Sequence, residues 1–120
     1  MLALINNDRE SQGLKTLKMN NKLQEIARQH SIEMFRLSYF EHESPVSGSP
    51  FDRLKASGIQ FVSAGENIAY APSVSTAHIG LMNSPKHRDN ILSDSFTEVG
   101  IGVISAGNWG SMYTQDFIGK

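Results

Sequence analysis

The sequence predicts an α+β fold, and three observations support this prediction. Apolar side chains recur every three or four residues over positions 23–37, the spacing of an amphipathic helix. Positions 99–103 alternate between β-branched residues and glycine, a period of two that is typical of a strand. A turn-forming segment at 106–110 separates this run from a second alternating run at 111–118. Helices that precede an antiparallel hairpin indicate an α+β architecture.

Local capping signals place the other elements. Asn20 is expected to cap the second helix, and Ser49, Pro50 and Asp52 form a helix-start signature. Glycines at positions 13 and 58 are expected to end the helices that precede them. We therefore predict helices at 2–12, 21–38, 50–57 and about 73–83, a further helical turn from 85, and an extended segment within 59–71.

Length and composition describe one ordinary globular domain over residues 1–120. Hydrophobic residues make up 39% of the chain and charged residues 19%, proportions that do not describe a disordered chain. Eleven basic and twelve acidic side chains leave a formal charge of −1, and no basic run stands out. We therefore expect no nucleic-acid partner. The apolar stretches are too short for a transmembrane helix.

The chain has no cysteine. This excludes disulfides, an all-thiolate zinc site and a cysteine nucleophile. Polar residues follow the apolar positions 1–5 at once, so this stretch is not a signal peptide. If the protein is exported, its targeting segment is expected to lie outside this chain.

Three titratable residues stand in contexts that favour a functional role. His42 lies in a predicted loop between two glutamates, where an imidazole can titrate near neutral pH or bind a metal. Glu66 follows Gly65 in an otherwise apolar run, so its carboxylate needs a partner or a proton. His87 stands in the first turn after Ser84–Pro85, where the helix dipole favours a neutral ring. Together they would form a polar, proton- or metal-responsive pocket.

Each candidate also has a structural interpretation. His42 can hydrogen-bond to the loop backbone, and Glu66 can lock a turn through backbone amides. His30 and His78 lie at helical spacing and are expected at the edge of the core. Ser84 is better explained as a helix N-cap than as a nucleophile, because the chain has no Gly-x-Ser-x-Gly elbow.

Five motifs follow one another along the chain: Phe40-x-His42, Gly65-Glu66-Asn67-Ile68-Ala69, Asn83-Ser84-Pro85-x-His87-Arg88-x-Asn90-Ile91-Leu92, Phe96-Thr97-Glu98-Val99-Gly100-Ile101-Gly102-Val103 and Tyr113-Thr114-Gln115-Asp116-Phe117. In this order they resemble the bacterial SCP-like branch of the CAP superfamily, which includes cysteine-rich secretory proteins, antigen 5 and plant pathogenesis-related proteins. The resemblance covers nearly the whole chain. It implies a three-layer α-β-α sandwich with a central antiparallel sheet, and export to the bacterial cell surface, cell wall or spore.

The resemblance also implies a cleft with two histidines and two glutamates, which binds zinc in some members. By motif match, His42, Glu66 and His87 take three of these places, with the two histidines as metal ligands. Ser84 stands where the second glutamate is expected. Glu98 is a candidate substitute, and its alternative role is an ion pair with Arg88.

Three functional hypotheses remain open at this point. The leading one is a non-catalytic binding or interaction module for an unknown small ligand, lipid or protein. The second is a peptidase-like hydrolase in which His87 or His42 acts as general base, Glu66 orients it, and Ser44 or a water molecule is the nucleophile. The third treats His42, Glu66 and His87 as a structural polar network that fixes the walls of the cleft.

Overall fold

A computed structural model describes all 120 residues of the chain. A short 3₁₀ turn at Gly107–Trp109 closes the C-terminal hairpin. The regular elements are α1 (Leu2–Ser11), β1 (Lys18–Met19), α2 (Asn21–Arg36), α3 (Pro50–Ala56), β2 (Ser63–Ala71), α4 (Val74–Met82), α5 (Pro85–Ile91), β3 (Glu98–Ser105) and β4 (Ser111–Gly119).

The four strands form one sheet in the order β1-β3-β4-β2. The three long strands pair antiparallel, whereas the two-residue strand β1 pairs parallel with β3. The sheet is therefore mixed, and the expectation of a purely antiparallel sheet holds only for its long strands. Strand β2 is an outer strand, with Glu66 directly opposite Asp116 and Asn67 directly opposite Gln115.

Helices cover both faces of the sheet, which confirms the α-β-α sandwich. Helices α2 and α3 pack on one face, where Leu23, Leu54 and Ile118 belong to one apolar cluster. Helices α1, α4 and α5 pack on the other face in a larger cluster that includes Ile5 and Phe117. Because successive strand residues point to opposite faces, one residue step along β2 changes the helical layer that a side chain meets.

Two glycines set how closely α2 approaches the sheet. A Cβ atom at Gly100 would collide with the backbone of Leu23, and one at Gly102 would collide with the backbone of Arg28. Glycine in a strand often marks such a close backbone approach. Helix α2 therefore lies flat against β3, and this fixes the position of its C-terminal half beside β2.

The helix starts follow the predicted chemistry with one exception. The Asn20 side chain accepts from the Leu23 amide, and Ser49 with Asp52 forms a reciprocal capping box at α3. Ser84 occupies the N-cap position of α5, but its side chain makes no capping hydrogen bond. The prediction that Ser84 is the N-cap of this helix is therefore confirmed in position, although its hydroxyl does not satisfy a backbone amide. Pro85, whose fixed φ suits the first helical turn, is the remaining start signal.

Candidate functional site

Glu66 is the centre of a buried polar network on the α2/α3 face of the sheet. Its Oε2 accepts from Nη2 of Arg53 at 2.6 Å, and its Oε1 accepts from Nδ1 of His42 at 3.0 Å. The Glu66 side chain is 1% exposed and that of Arg53 is 5% exposed. Breaking such a buried, hydrogen-bonded ion pair leaves an uncompensated charge and is strongly destabilising. Both carboxylate oxygens of Glu66 are therefore held in place.

Arg53 also holds the loop that carries His42. Its Nη1 donates to the backbone carbonyl of His42 at 2.9 Å and to that of Gly48 at 2.9 Å. The capping box at Ser49 and Asp52 starts α3 just before Arg53 and so positions the guanidinium. One side chain thus ties helix α3, strand β2 and the 41–48 loop together.

His42 is the exposed end of this network. Its side chain is 48% exposed, and Nε2 makes no hydrogen bond within the protein. Because Glu66 is ionised and can only accept, Nδ1 of His42 carries the proton in this contact. In the neutral ring Nε2 is then an unpaired acceptor.

His30, on α2, is the second histidine beside Glu66. It is fully buried, its Nε2 donates to the Glu41 carbonyl at 2.9 Å, and the same nitrogen lies 3.7 Å from Oε1 of Glu66. Burial lowers the pKa of His30, and the Glu66 charge only partly opposes this effect. His30 is therefore a neutral part of the network and not merely a residue at the core edge.

The charge on Glu66 is stabilised by its neighbours. Burial alone raises the pKa of Glu66, but the hydrogen bond from His42 and the charge of Arg53 outweigh burial and lower it to about 2. Glu66 is consequently ionised across the physiological range.

The pKa of Asp116 is shifted in the opposite direction to that of Glu66. It is 2% exposed, and neither of its oxygens receives an N–H or O–H donor from the rest of the protein. Burial, followed by the charge of Glu66 across the strand pair, raises the pKa of Asp116 well above its usual range. Two facing carboxyl groups that have one nearby cation cannot both ionise at low cost. Asp116 is thus the neutral member of this facing pair.

The motif at 83–92 contacts the motif at 65–69 through the Asn90 side chain and not through the His87 ring. On the opposite face of β2, Nδ2 of Asn67 donates to the His87 carbonyl and to Oε1 of Gln115, both at 3.0 Å. Nδ2 of Asn90 donates to Oδ1 of Asn67 at 2.9 Å and lies 3.3 Å from the Glu66 carbonyl. Asn90 thus fastens α5 to β2.

His87 lies near His42 but does not contact Glu66. Its ring is half-buried and makes no hydrogen bond. Burial, and then the positive charge of His42, lowers the pKa of His87, so the two rings interact electrostatically. The structure therefore pairs His42 with Glu66 and leaves His87 as a neighbour. The main surface cavities, of about 350 to 700 Å³, are lined by residues other than these three.

Two other predicted site residues lie outside this network. Ser84 makes no hydrogen bond to Glu66, His42 or His87 through its side chain. Glu98 lies two residues before the position on β3 that aligns with Asp116, and it binds Nζ of Lys120 at 3.1 Å and Nδ2 of Asn20 at 3.0 Å. The expected roles of Glu98, a substitute glutamate or a partner of Arg88, are therefore wrong.

The residues present do not fit the zinc site that the resemblance implies. No group of three or more histidine, aspartate or glutamate side chains converges to hold a metal ion. A zinc site in proteins has at least three protein ligands. Here both Glu66 oxygens are already bonded and Asp116 is neutral, so His42 and His87 alone remain.

The serine hydroxyls make no hydrogen bonds with the imidazole rings. The Ser44 hydroxyl donates to Glu33 at 3.1 Å and accepts from the amides of Val46 and Ser47. No serine hydroxyl hydrogen-bonds to His42 or His87. Ser44 is thus part of the loop structure.

Arg53 and Asp116 were not among the predicted site residues, and His30 was expected only at the edge of the core. Arg53 follows the capping box directly, which places it on a buried helix turn, and this signal was available. Asp116 lies in the alternating run of the last strand, where its position opposite Glu66 depends on the β2–β4 register. That register is not visible from either strand alone.

Comparison with known proteins places these observations in a family. The cysteine-rich secretory protein (CAP) family matches residues 2–117. The chain is 43% identical over 121 residues to the uncharacterized protein YkwD of Bacillus subtilis, covering 100% of this chain and 46% of that protein. It is 38% identical over 119 residues to the uncharacterized membrane protein YlbC of the same organism, covering 98% of this chain and 33% of that protein.

A crystal structure of an extracellular protein containing a SCP domain from Bacillus anthracis superposes with a TM-score of 0.90 at 38% identity, over 99% of this chain and 39% of that one. The chain thus spans less than half the length of these relatives. No helix in the structure is long and apolar enough to cross a membrane. From the match over nearly all of its residues, this chain belongs to the CAP family of cysteine-rich secretory proteins.

Proposed function

We propose that this chain is an exported bacterial binding module, which presents a fixed surface to a partner and catalyses no reaction. The observation that carries the proposal is the state of Glu66, whose two oxygens are bonded to Arg53 at 2.6 Å and to His42 at 3.0 Å. A carboxylate held in this way stays ionised and immobile. Its effect is to fix the 41–48 loop and the exposed His42 ring as part of a rigid surface.

Two further observations support this interpretation. No serine hydroxyl is hydrogen-bonded to the His42 or His87 imidazole, so no serine is placed as an activated nucleophile. The B. anthracis protein that resembles this chain is described as extracellular, which supports export to the medium, the cell surface or the spore. Fold alone does not define a reaction.

The test is a search for turnover. Purified chain is incubated with a quenched fluorescent peptide library and with p-nitrophenyl esters, beside the His42→Ala and His87→Ala variants. We expect wild type and both variants to release product at the same background rate. Hydrolysis by wild type that disappears in either variant would overturn the proposal.

A hydrolase that activates water is the second candidate, and one observation favours it. Glu66 orients His42 through Nδ1, which leaves Nε2 as an available base, the arrangement that a general base requires. In that case Glu66→Gln should reduce turnover while the fold persists, and His42→Ala should abolish turnover. Absence of turnover in the library assay removes this candidate.

The third interpretation is a purely structural network, and it predicts no loss of partner binding when only His42 is changed. Binding that is unchanged in His42→Ala and in variants of the neighbouring surface would favour it over a binding module.

A further inference from the structure

An apolar groove lies beside the open end of strand β2. It has a volume of about 350 Å³ and runs between the C-terminal turn of α2, the segment that follows it, and the start of β4. Phe35 and Phe40 are each 48% exposed and Tyr70 is 46% exposed. Exposed apolar patches of this kind mark interaction sites. Met34, Tyr39 and Met112 also line the groove.

The backbone beside this groove is unpaired. Strand β2 is an outer strand, and its first half is covered where Asn90 donates to the Glu66 carbonyl. From Ile68 to Tyr70 the backbone makes no hydrogen bond except in the ladder with β4. In an antiparallel ladder alternate residues direct their amide and carbonyl groups away from the neighbouring strand. Such an edge is a template for another strand.

The groove is also preformed. Tyr39 packs against the cluster of Met34, Ile68 and Met112, and its amide donates to the Met34 carbonyl at 3.1 Å. Phe40 leads directly into the loop whose carbonyl at His42 is held by Arg53. A rigid site loses less conformational entropy on binding. The buried network therefore serves the groove by fixing one of its walls.

The charges around the groove indicate what it binds. No charged side chain lines it, so the inserted side chains are apolar. The exposed acidic residues Glu41 and Glu43 follow the groove residue Phe40 in the chain, and the exposed cation Arg36 follows Phe35. An extended peptide satisfies the unpaired backbone, which a lipid chain or a sugar ring would leave unmet. Its basic residue would lie near Glu41.

We propose that the edge of β2 from Ile68 to Tyr70, with the adjoining groove, binds an extended segment of a partner protein as an additional strand. The segment carries apolar side chains at alternate positions and a basic residue facing Glu41 and Glu43. This inference rests on the proposed function, because it names the surface and the partner class of the binding module.

The experiment uses synthetic peptides with valine and phenylalanine at alternate positions and lysine between them. Binding to the chain is measured by calorimetry, and backbone amide shifts are followed by NMR. One control peptide carries N-methyl groups on the residues that would pair with β2, and a second replaces lysine with glutamate. We expect the first peptide to bind and to shift the amides of Ile68 to Tyr70. We expect both controls to bind at least about tenfold more weakly.

A matched pair of variants locates the site. Phe40→Ser should weaken binding about tenfold, the loss typical of an aromatic anchor. Phe51→Ser removes an aromatic ring of similar exposure, 47%, from helix α3 and should leave binding unchanged. Because both rings are half-exposed, neither variant is expected to unfold the domain. Equal effects of the two variants, or equal binding of the N-methylated peptide, would overturn the inference.

The same variants distinguish a peptide from other possible occupants of the groove. Binding to neutral phospholipid vesicles that requires Phe40, or self-association of the chain that Phe40→Ser abolishes, would show that a lipid or a second copy occupies the groove and would also overturn the inference. Failure of all peptides together with absence of turnover rejects this surface but leaves the proposed binding module. Turnover in the hydrolysis assay rejects the proposed function itself.

Discussion

The two faces of strand β2 carry two different polar networks, one charged and one neutral. Glu66 faces α2 and α3, where a guanidinium, two imidazoles and a neutral carboxyl group surround its carboxylate. Asn67, the next residue, faces α5 and makes only amide and carbonyl hydrogen bonds. Adjacent positions on one strand thus perform different tasks. The charged network reaches the surface through His42, whereas the neutral network fastens a helix.

The largest expected difference between the two networks comes from removing Arg53. Arg53→Met leaves the buried Glu66 carboxylate without its cation and releases the carbonyls of His42 and Gly48. We expect the free energy of unfolding to fall by about 3–5 kcal/mol, as for other broken buried ion pairs. Urea denaturation measures this change. The control is Lys55→Met, an exposed cation on the same helix, which should cost less than about 0.5 kcal/mol.

Acid should affect the charged network alone. The pKa of Glu66 is lowered from 4.5 to about 2 in the folded state, so the unfolded chain binds the proton more readily between these values. This contribution, on the order of 3 kcal/mol, is complete above about pH 5 and is lost as the pH falls through 2. The lowered pKa of His30 adds a loss of the same sign below about pH 6.5.

The raised pKa of Asp116 has the opposite effect on stability. Its stabilising contribution is present in acid and is lost as the pH rises through its folded-state pKa. Urea unfolding of wild type, Glu66→Gln and Asp116→Asn over a pH series measures the three slopes. Glu66→Gln should have a shallower acid slope than wild type, and Asp116→Asn should lose the decline in stability that begins as the pH rises above about 4, the ordinary pKa of an aspartate. An acid slope that Glu66→Gln leaves intact would contradict the assignment of the charge to Glu66.

On the neutral face, Asn67→Ala should have a smaller effect that does not depend on pH. The substitution leaves Asn90, Gln115 and the His87 carbonyl without their shared partner, at a cost of about 1–3 kcal/mol. The exposed Asn83 provides the control, because Asn83→Ala removes an amide that makes no side-chain hydrogen bond. If the cost of Asn67→Ala increased steeply in acid, the two networks would not be independent.

The smallest effect is expected at the exposed end of the charged network. His42→Ala removes one hydrogen bond from Glu66, but Arg53 remains and the lost ring is already half in water. We expect a loss of no more than about 1 kcal/mol, measured beside Glu43→Ala in the same loop. A loss of unfolding free energy as large as that of Arg53→Met would mean that His42 is essential to the stability of the fold and is not only a surface residue.

These contrasts explain what could be predicted from the sequence. The helices and the hairpin were predicted because their periodicity and caps are local, as at Asn20 and Ser49. The pairing of His42 with Glu66 was inferred from the isolated carboxylate and from the family resemblance. Arg53 and Asp116 were missed because their roles depend on which strand and which loop lie beside them. Glu98 was misplaced for the same reason, since its actual partners, Asn20 and Lys120, come from the two ends of the chain.

The way in which Arg53 holds the loop has a consequence for how this surface can vary. The guanidinium donates hydrogen bonds to the main-chain carbonyls of His42 and Gly48. These atoms are the same whatever side chains the loop bears. Residues such as Glu43 and Val46 can therefore be exchanged without loosening the anchor. A lineage, or a designer, can redirect this face towards a new target while the scaffold beneath it stays unchanged.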